Sequence, residues 1–133
     1  MAWYAAHAVM YFQLTDGPQD RYQVYENIFL VQADTPDEGF EKACVLARRD
    51  EGDSSSSLRV GGRPARLTFG SIRKLVSVLH EDPQERIGDG DEITYSELVV
   101  SDREALQRLI DNEDVDVNYI GRIDNRVSPP DPM

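Results

Sequence analysis

The sequence predicts a two-layer α+β sandwich. An antiparallel β-sheet of about five to six strands is covered on one face by two helices, in the order ββα-βββ(β)-α. Three observations predict it. A long strand-like segment, Tyr22 to Ala33, runs straight into a helix start at Thr35-Pro36-Asp37-Glu38. A glycine pair, Gly61-Gly62, joins two further strand-like segments. A second helix start, Ser101-Asp102-Arg103-Glu104, follows a run of strands.

Taken in order, Trp3 to Leu14 is apolar on both alternating faces. Its aromatic residues favour a strand over a helix, and Thr15-Asp16-Gly17-Pro18 follows as a turn. A strand apolar on both faces belongs inside a sheet rather than at its edge. Tyr22 to Ala33 is long enough to pair with it as a hairpin. Thr35 then caps a helix running from Pro36 to about Arg49. Its hydroxyl accepts from a free first-turn amide, proline suits the first helical position, and Glu38 can reach back to the cap. Phe40, Ala43, Cys44 and Ala47 form the apolar stripe, and Arg48 and Arg49 suit the C-terminal end of the dipole.

Asp50 to Ser57 reads as a polar loop. Leu58 to Phe69 reads as a hairpin turning at Gly61-Gly62, since tight hairpin turns need positive φ; Gly70 marks a bulge or a break. Ile72 to Leu79 is a further strand, Glu81 to Glu92 an acidic loop, and Ile93 to Val100 a strand of period two. Ala105, Leu106, Leu109 and Ile110 give the second helix its stripe, and Val115, Val117 and Tyr119 alternate as an edge strand. Residues 1–127 form one domain and Ser128 to Met133 a disordered tail.

Composition restricts function more than it assigns it. With 25 Asp plus Glu against 14 Lys plus Arg, the chain carries a formal charge of −11. Phosphate backbones are bound by cations, so no nucleic-acid partner is expected. Such a surface serves solubility, and it also steers towards a basic protein. Cys44 is the single cysteine, which excludes an internal disulfide and a cysteine zinc site. No leader is visible and the apolar runs are of strand length, so a cytoplasmic protein without a membrane partner is expected.

Few residues carry chemistry. His7 lies on an apolar strand face, where a satisfied core histidine is the usual outcome. His80 sits beside Glu81 and Asp82, too few ligands for a metal site. Asp89-Gly90-Asp91-Glu92-Ile93-Thr94 begins like a calcium loop, but Ile93 and Thr94 stand where a third oxygen ligand and the turn glycine belong. No phosphate loop, nucleophile elbow or zinc-protease motif occurs. Neither catalytic residues nor a cofactor nor a metal is expected. The one oddity is Glu26, which shares a strand face with Tyr22, Val24, Ile28 and Leu30. A charge there must reach an edge, a bulge or a cationic partner. A structural salt bridge and a ligand or partner contact both satisfy that need. Glu26, Asn27, Tyr25, Trp3, Asp89, Asp91 and Glu92 are therefore the interaction candidates.

Trp3-Tyr4-Ala5-Ala6, then Tyr25-Glu26-Asn27-Ile28-Phe29-Leu30-Val31 before an acid-rich helix start, then Gly90 to Ser96, resemble a family of small bacterial domains, domain of unknown function 4288. The resemblance covers about Trp3 to Leu98. It implies a bacterial α+β domain and brings no established activity or catalytic residues. The serine-rich loop and the segment after Ser101 depart from it.

Three functions fit. The first is a non-catalytic domain that docks on a protein partner of basic character, as an immunity-like or antitoxin-like inhibitor or an accessory subunit. The second is a small-ligand protein or enzyme with a pocket between sheet and helices around Glu26 and His7. The third is a structural domain that associates with itself through a sheet edge.

Overall fold

The computed structural model describes residues 2–51, 58–79 and 86–120. Its elements are β1 (Ala2–Leu14), β2 (Val24–Ala33), α1 (Pro36–Arg48), β3 (Arg59–Val60), β4 (Arg63–Ser77), β5 (Leu98–Val99), α2 (Arg103–Ile110) and β6 (Asn118–Tyr119). An antiparallel four-stranded sheet of order β2-β1-β4-β3 carries the fold, and β5 and β6 pair as a small second sheet. This is the α+β class that the sequence predicts. The doubly apolar β1 lies inside the sheet, between β2 and β4.

The first helix is capped as its sequence dictates. The Glu38 amide donates to Thr35 Oγ1 at 3.1 Å, Pro36 opens the helix, and Arg48 closes its last turn. Its buried face packs on β1, β2 and β4. Ala43 and Ala47 meet Tyr4, Ala6, Ala8 and Met10 of β1, Val31 and Ala33 of β2, and Ile72 and Leu75 of β4. The small residues on both sides let helix and sheet approach closely. Gly39 is part of this fit, because a Cβ there would lie 3.3 Å from the Tyr4 ring. Each large apolar side chain in this layer contributes about 1.5–3 kcal/mol by leaving water.

Four expectations change in detail. Leu58 to Phe69 and Ile72 to Leu79 belong to one hairpin whose long arm is the continuous β4; Gly61 (φ 60) and Gly62 (φ 79) form its turn. Gly70 bulges rather than breaks that arm. Val9 pairs with Ser71 and Met10 with Phe69, so Gly70 is the extra residue. The second helix is capped by Asp102, which accepts from the Ala105 amide at 2.8 Å, one residue later than the sequence suggests. Only Leu98–Val99 and Asn118–Tyr119 of the two late strand-like segments are paired.

The sheet layer is covered on one face by α1. The eight-residue α2 buries none of its residues. Its Leu106, Leu109 and Ile110 are exposed large hydrophobics, the last at 64%. The opposite sheet face, with Ala5, His7, Lys74 and Val76 buried, is met by the Thr94–Tyr95 segment. His80, Glu81, Asp82 and Glu85, most of the serine-rich loop, and the C-terminal tail lie outside the described residues.

Candidate functional site

A polar cluster occupies the sheet face opposite α1. Side chains alternate along β1, so His7 points away from the helix-covered core that Ala6 and Ala8 join. Its strand partners are Ile28 on β2 and Lys74 on β4, and Glu26 sits opposite Val9 on the same face.

A bulge then delivers two cations to one side. His7 pairs with Lys74 and Ala8 with Ile72, which leaves Arg73 as an extra residue. In a regular strand Arg73 and Lys74 would face opposite ways. Here both serve the His7 face, since a bulge re-aims the side chains beside it. Arg73 Nη2 donates to Glu26 Oε2 at 2.9 Å, and its guanidinium lies 4.8 Å from the Tyr119 ring centre. Lys74 donates to the Tyr95 carbonyl and lies 4.6 Å from that tyrosine's ring centre.

His7 is the centre of the cluster and is 0% exposed. Its Nδ1 lies 2.5 Å from Glu26 Oε2, and its Nε2 lies 2.5 Å from Thr94 Oγ1. An ionised carboxylate only accepts, so Nδ1 carries the imidazole proton and Nε2 accepts from the Thr94 hydroxyl. Burial holds the His7 pKa below its ordinary value; the Glu26 hydrogen bond opposes this, and the charge of Lys74 adds to it. Glu26 shifts the same way for different reasons. Burial pushes it up, but hydrogen bonds from Arg73 and His7 outweigh that and hold it below the usual carboxylate range. Burial, then the neighbouring Arg73, lowers Lys74, which is 4% exposed. Each ring nitrogen of His7 is occupied, and no group of three metal-ligating side chains occurs among the described residues.

The interaction candidates do not all meet here. Glu26 does, through the cationic partner its position requires. Trp3 shares the His7 face, four residues away at the strand start. Tyr25 points to the other face, where its ring meets Phe12 edge-on at 5.6 Å. Asn27 also faces that side and lines a shallow groove with Phe29, Leu46 and Arg49. Asp91 accepts from the Gly88 amide at 2.8 Å and closes its own turn, Glu92 bridges to Leu79, and Asp89 is exposed at the turn. Arg73, Lys74, Thr94, Tyr95 and Tyr119 are members that sequence reasoning missed. Two adjacent cations in an otherwise apolar strand, just after a glycine, were the available signal for the bulge.

A second surface surrounds α2. A groove of about 390 Å³ is lined by Ser101, Asp102, Glu104, Ala105, Arg108, Asp114, Val115 and Asp116. Four carboxylates thus face one arginine, beside the exposed stripe of Leu106, Leu109 and Ile110.

Comparison with known proteins adds a family. The family model described as "Domain of unknown function (DUF4288)" matches residues 3–96, well over half of the chain. No curated protein and no solved structure matches.

Proposed function

We propose, from the premise that the chain belongs to the DUF4288 family, that it is a non-catalytic, acidic, cytoplasmic domain of bacterial origin that binds a basic protein partner through α2. An immunity-like or antitoxin-like inhibitor, or an accessory subunit, is the class it suits. The observation that carries this reading is the uncovered apolar stripe of α2 beside a groove lined by Asp102, Glu104, Asp114 and Asp116. Apolar anchors ringed by one sign of charge suit a protein surface of the opposite sign, the anchors supplying affinity and the charges a fast approach. Residues 86–120 carry ten carboxylates against three arginines, a charge excess that supports attraction of a basic partner to this segment.

The test is affinity capture from the native cell with the tagged chain, followed by titration of the captured partner over a range of salt. A basic partner is expected whose association slows as salt rises and whose binding is lost in Leu109→Asp and in Asp114→Asn/Asp116→Asn. A partner bound equally well by both variants would remove α2 from the interface.

One observation favours a second reading. Carboxylate, imidazole and hydroxyl stand in series at Glu26, His7 and Thr94, with the imidazole in the tautomer that would accept the hydroxyl proton. The Arg73 Nε is buried without a hydrogen-bond partner among the described residues and would suit a ligand oxygen. In that reading Thr94 is a nucleophile for an activated acyl group. Full burial of His7 favours a structural role instead. Incubation with a serine-hydrolase fluorophosphonate probe separates the two: labelling of Thr94 that is lost in His7→Gln would establish the nucleophile, and an unlabelled chain would exclude it.

A further inference from the structure

We infer that the free edge of β2 is a self-association edge, at which two copies join antiparallel across a twofold axis through Asn27. Among the described residues, the sheet order β2-β1-β4-β3 leaves β2 paired on one side only. Natural edges are guarded by charged side chains, above all lysine, by proline or by a bulge, and the one charge on β2, Glu26, is already engaged by Arg73 and His7 of its own chain. Val24–Ala33 contains no lysine and no proline, and its register with β1 is unbroken. Val24, Ile28 and Leu30 on this strand are exposed large hydrophobics, Ile28 at 47%.

The hydrogen bonds fix which groups face outward. The Phe12 amide donates to the Gln23 carbonyl, so even-numbered residues of β1 and odd-numbered residues of β2 bond each other. On its other side, β1 accepts at Trp3 from the Val78 amide, which agrees with that alternation. The outward amides and carbonyls of β2 therefore belong to Val24, Glu26, Ile28 and Leu30. The next outward carbonyl, Gln32, is already taken by Lys42 Nζ at 2.9 Å, which ends the free edge.

The sequence along that edge reads nearly the same in both directions. With Asn27 on the axis, Val24 faces Leu30 of the second copy and Tyr25 faces its Phe29, while Glu26 faces Ile28. The outward-facing residues then meet one another as hydrogen-bonded pairs, each exchanging two N–H···O bonds. In two of these three pairs, Val24–Leu30 and Tyr25–Phe29, like stands opposite like, the pairing that stabilises a two-strand contact. Shifting the axis to Glu26 would oppose two carboxylates. Shifting it to Ile28 would place Asn27 against Phe29 and Val24 against Gln32. The chosen register also keeps the seam neutral, because Glu26, the only charge on the strand, is held by Arg73 and His7 of its own chain. That removes the repulsion expected between carboxylates at the seam. A foreign strand would have no reason to match this near-palindrome.

The experiment is sedimentation equilibrium of the full chain, with cysteine cross-linking to read the register. The expected result is a reversible dimer that dissociates on dilution. Ile28→Lys adds a guarding charge, and Ile28→Pro removes an outward amide together with the isoleucine side chain; each should raise the dimer dissociation constant more than about tenfold while leaving the far-ultraviolet circular dichroism spectrum unchanged. In a Cys44→Ala background, Asn27→Cys should oxidise to a disulfide-linked dimer, whereas cysteine at the exposed Leu109 of α2 should not. A chain that stays monomeric at all concentrations, a dimer untouched by Ile28→Lys, or cross-linking at Leu109 but not at Asn27 would each overturn the inference. The first two outcomes leave binding through α2 untouched, whereas cross-linking at Leu109 would make α2 a self-association surface instead.

Discussion

Burial lowers the His7 pKa against the pull of its Glu26 hydrogen bond, and the charges of Lys74 and Arg73 add to the lowering. The sign of the pH dependence follows. Unfolded, the imidazole takes a proton near pH 6.5; folded, only below that. Its contribution is complete above pH 6.5 and is lost as pH falls through the depressed value, at about 1.4 kcal/mol per pH unit for one proton. Glu26 acts in the same direction lower down, present above its ordinary 4.5 and lost as pH falls through its depressed value. Urea midpoints should therefore fall from pH 7 to pH 5, and His7→Leu should flatten that interval. A flat wild-type profile would contradict a neutral buried His7. Glu26→Gln leaves Arg73 without its counter-charge and weakens the His7 bond, at about 2 kcal/mol. Alternation along β2 exposed Glu26 as anomalous from sequence alone. Its partner Arg73 stayed hidden, because counting by twos along β4 sends Arg73 and Lys74 to opposite faces and only the bulge reunites them.

The two helices divide local from tertiary stability. Both have side-chain caps, Thr35 and Asp102, each worth about 1 kcal/mol. Thr35 caps a helix that closes the main core, whereas Asp102 caps one that buries nothing. Thr35→Ala should lower global stability by about 1 kcal/mol. Asp102→Ala should leave the denaturation midpoint unchanged and speed amide exchange within Arg103–Ile110 only. Equal midpoint shifts would mean that α2 is packed after all. The caps were legible because they are local hydrogen-bond chemistry. That α2 would lie uncovered was not, since an amphipathic stripe shows which face prefers burial and not whether another element arrives to bury it.

The whole molecule is a sheet with an apolar joint on one face and a polar joint on the other. The apolar side follows from small and large hydrophobes that fit; truncating Leu75, 1% exposed, to alanine should cost about 2–5 kcal/mol in chemical denaturation. The polar side attaches residues 94–119 through Thr94 on His7, the Tyr95 carbonyl on Lys74 and Tyr119 on Arg73. Arg73→Met keeps the stem and removes the charge. It should raise hydrogen exchange in residues 94–119 while β1, β2 and β4 stay protected; uniform loss of protection would show that the two layers unfold as one unit.

The sequence by itself determined the α+β class, the inner place of β1, the capped first helix and the hairpin at Gly61-Gly62, and it left Gly70 as a bulge or a break. Each rests on periodicity, capping or turn chemistry among residues close in the chain. Only the tertiary structure decided that the second bulge unites Arg73 and Lys74 around His7, that Thr94 closes this cluster, and that, among the described residues, α2 buries none of its own and the β2 edge is unpaired. Those outcomes depend on register between strands and on which face the late segment reaches, and contacts across tens of residues leave no periodic mark in a single sequence.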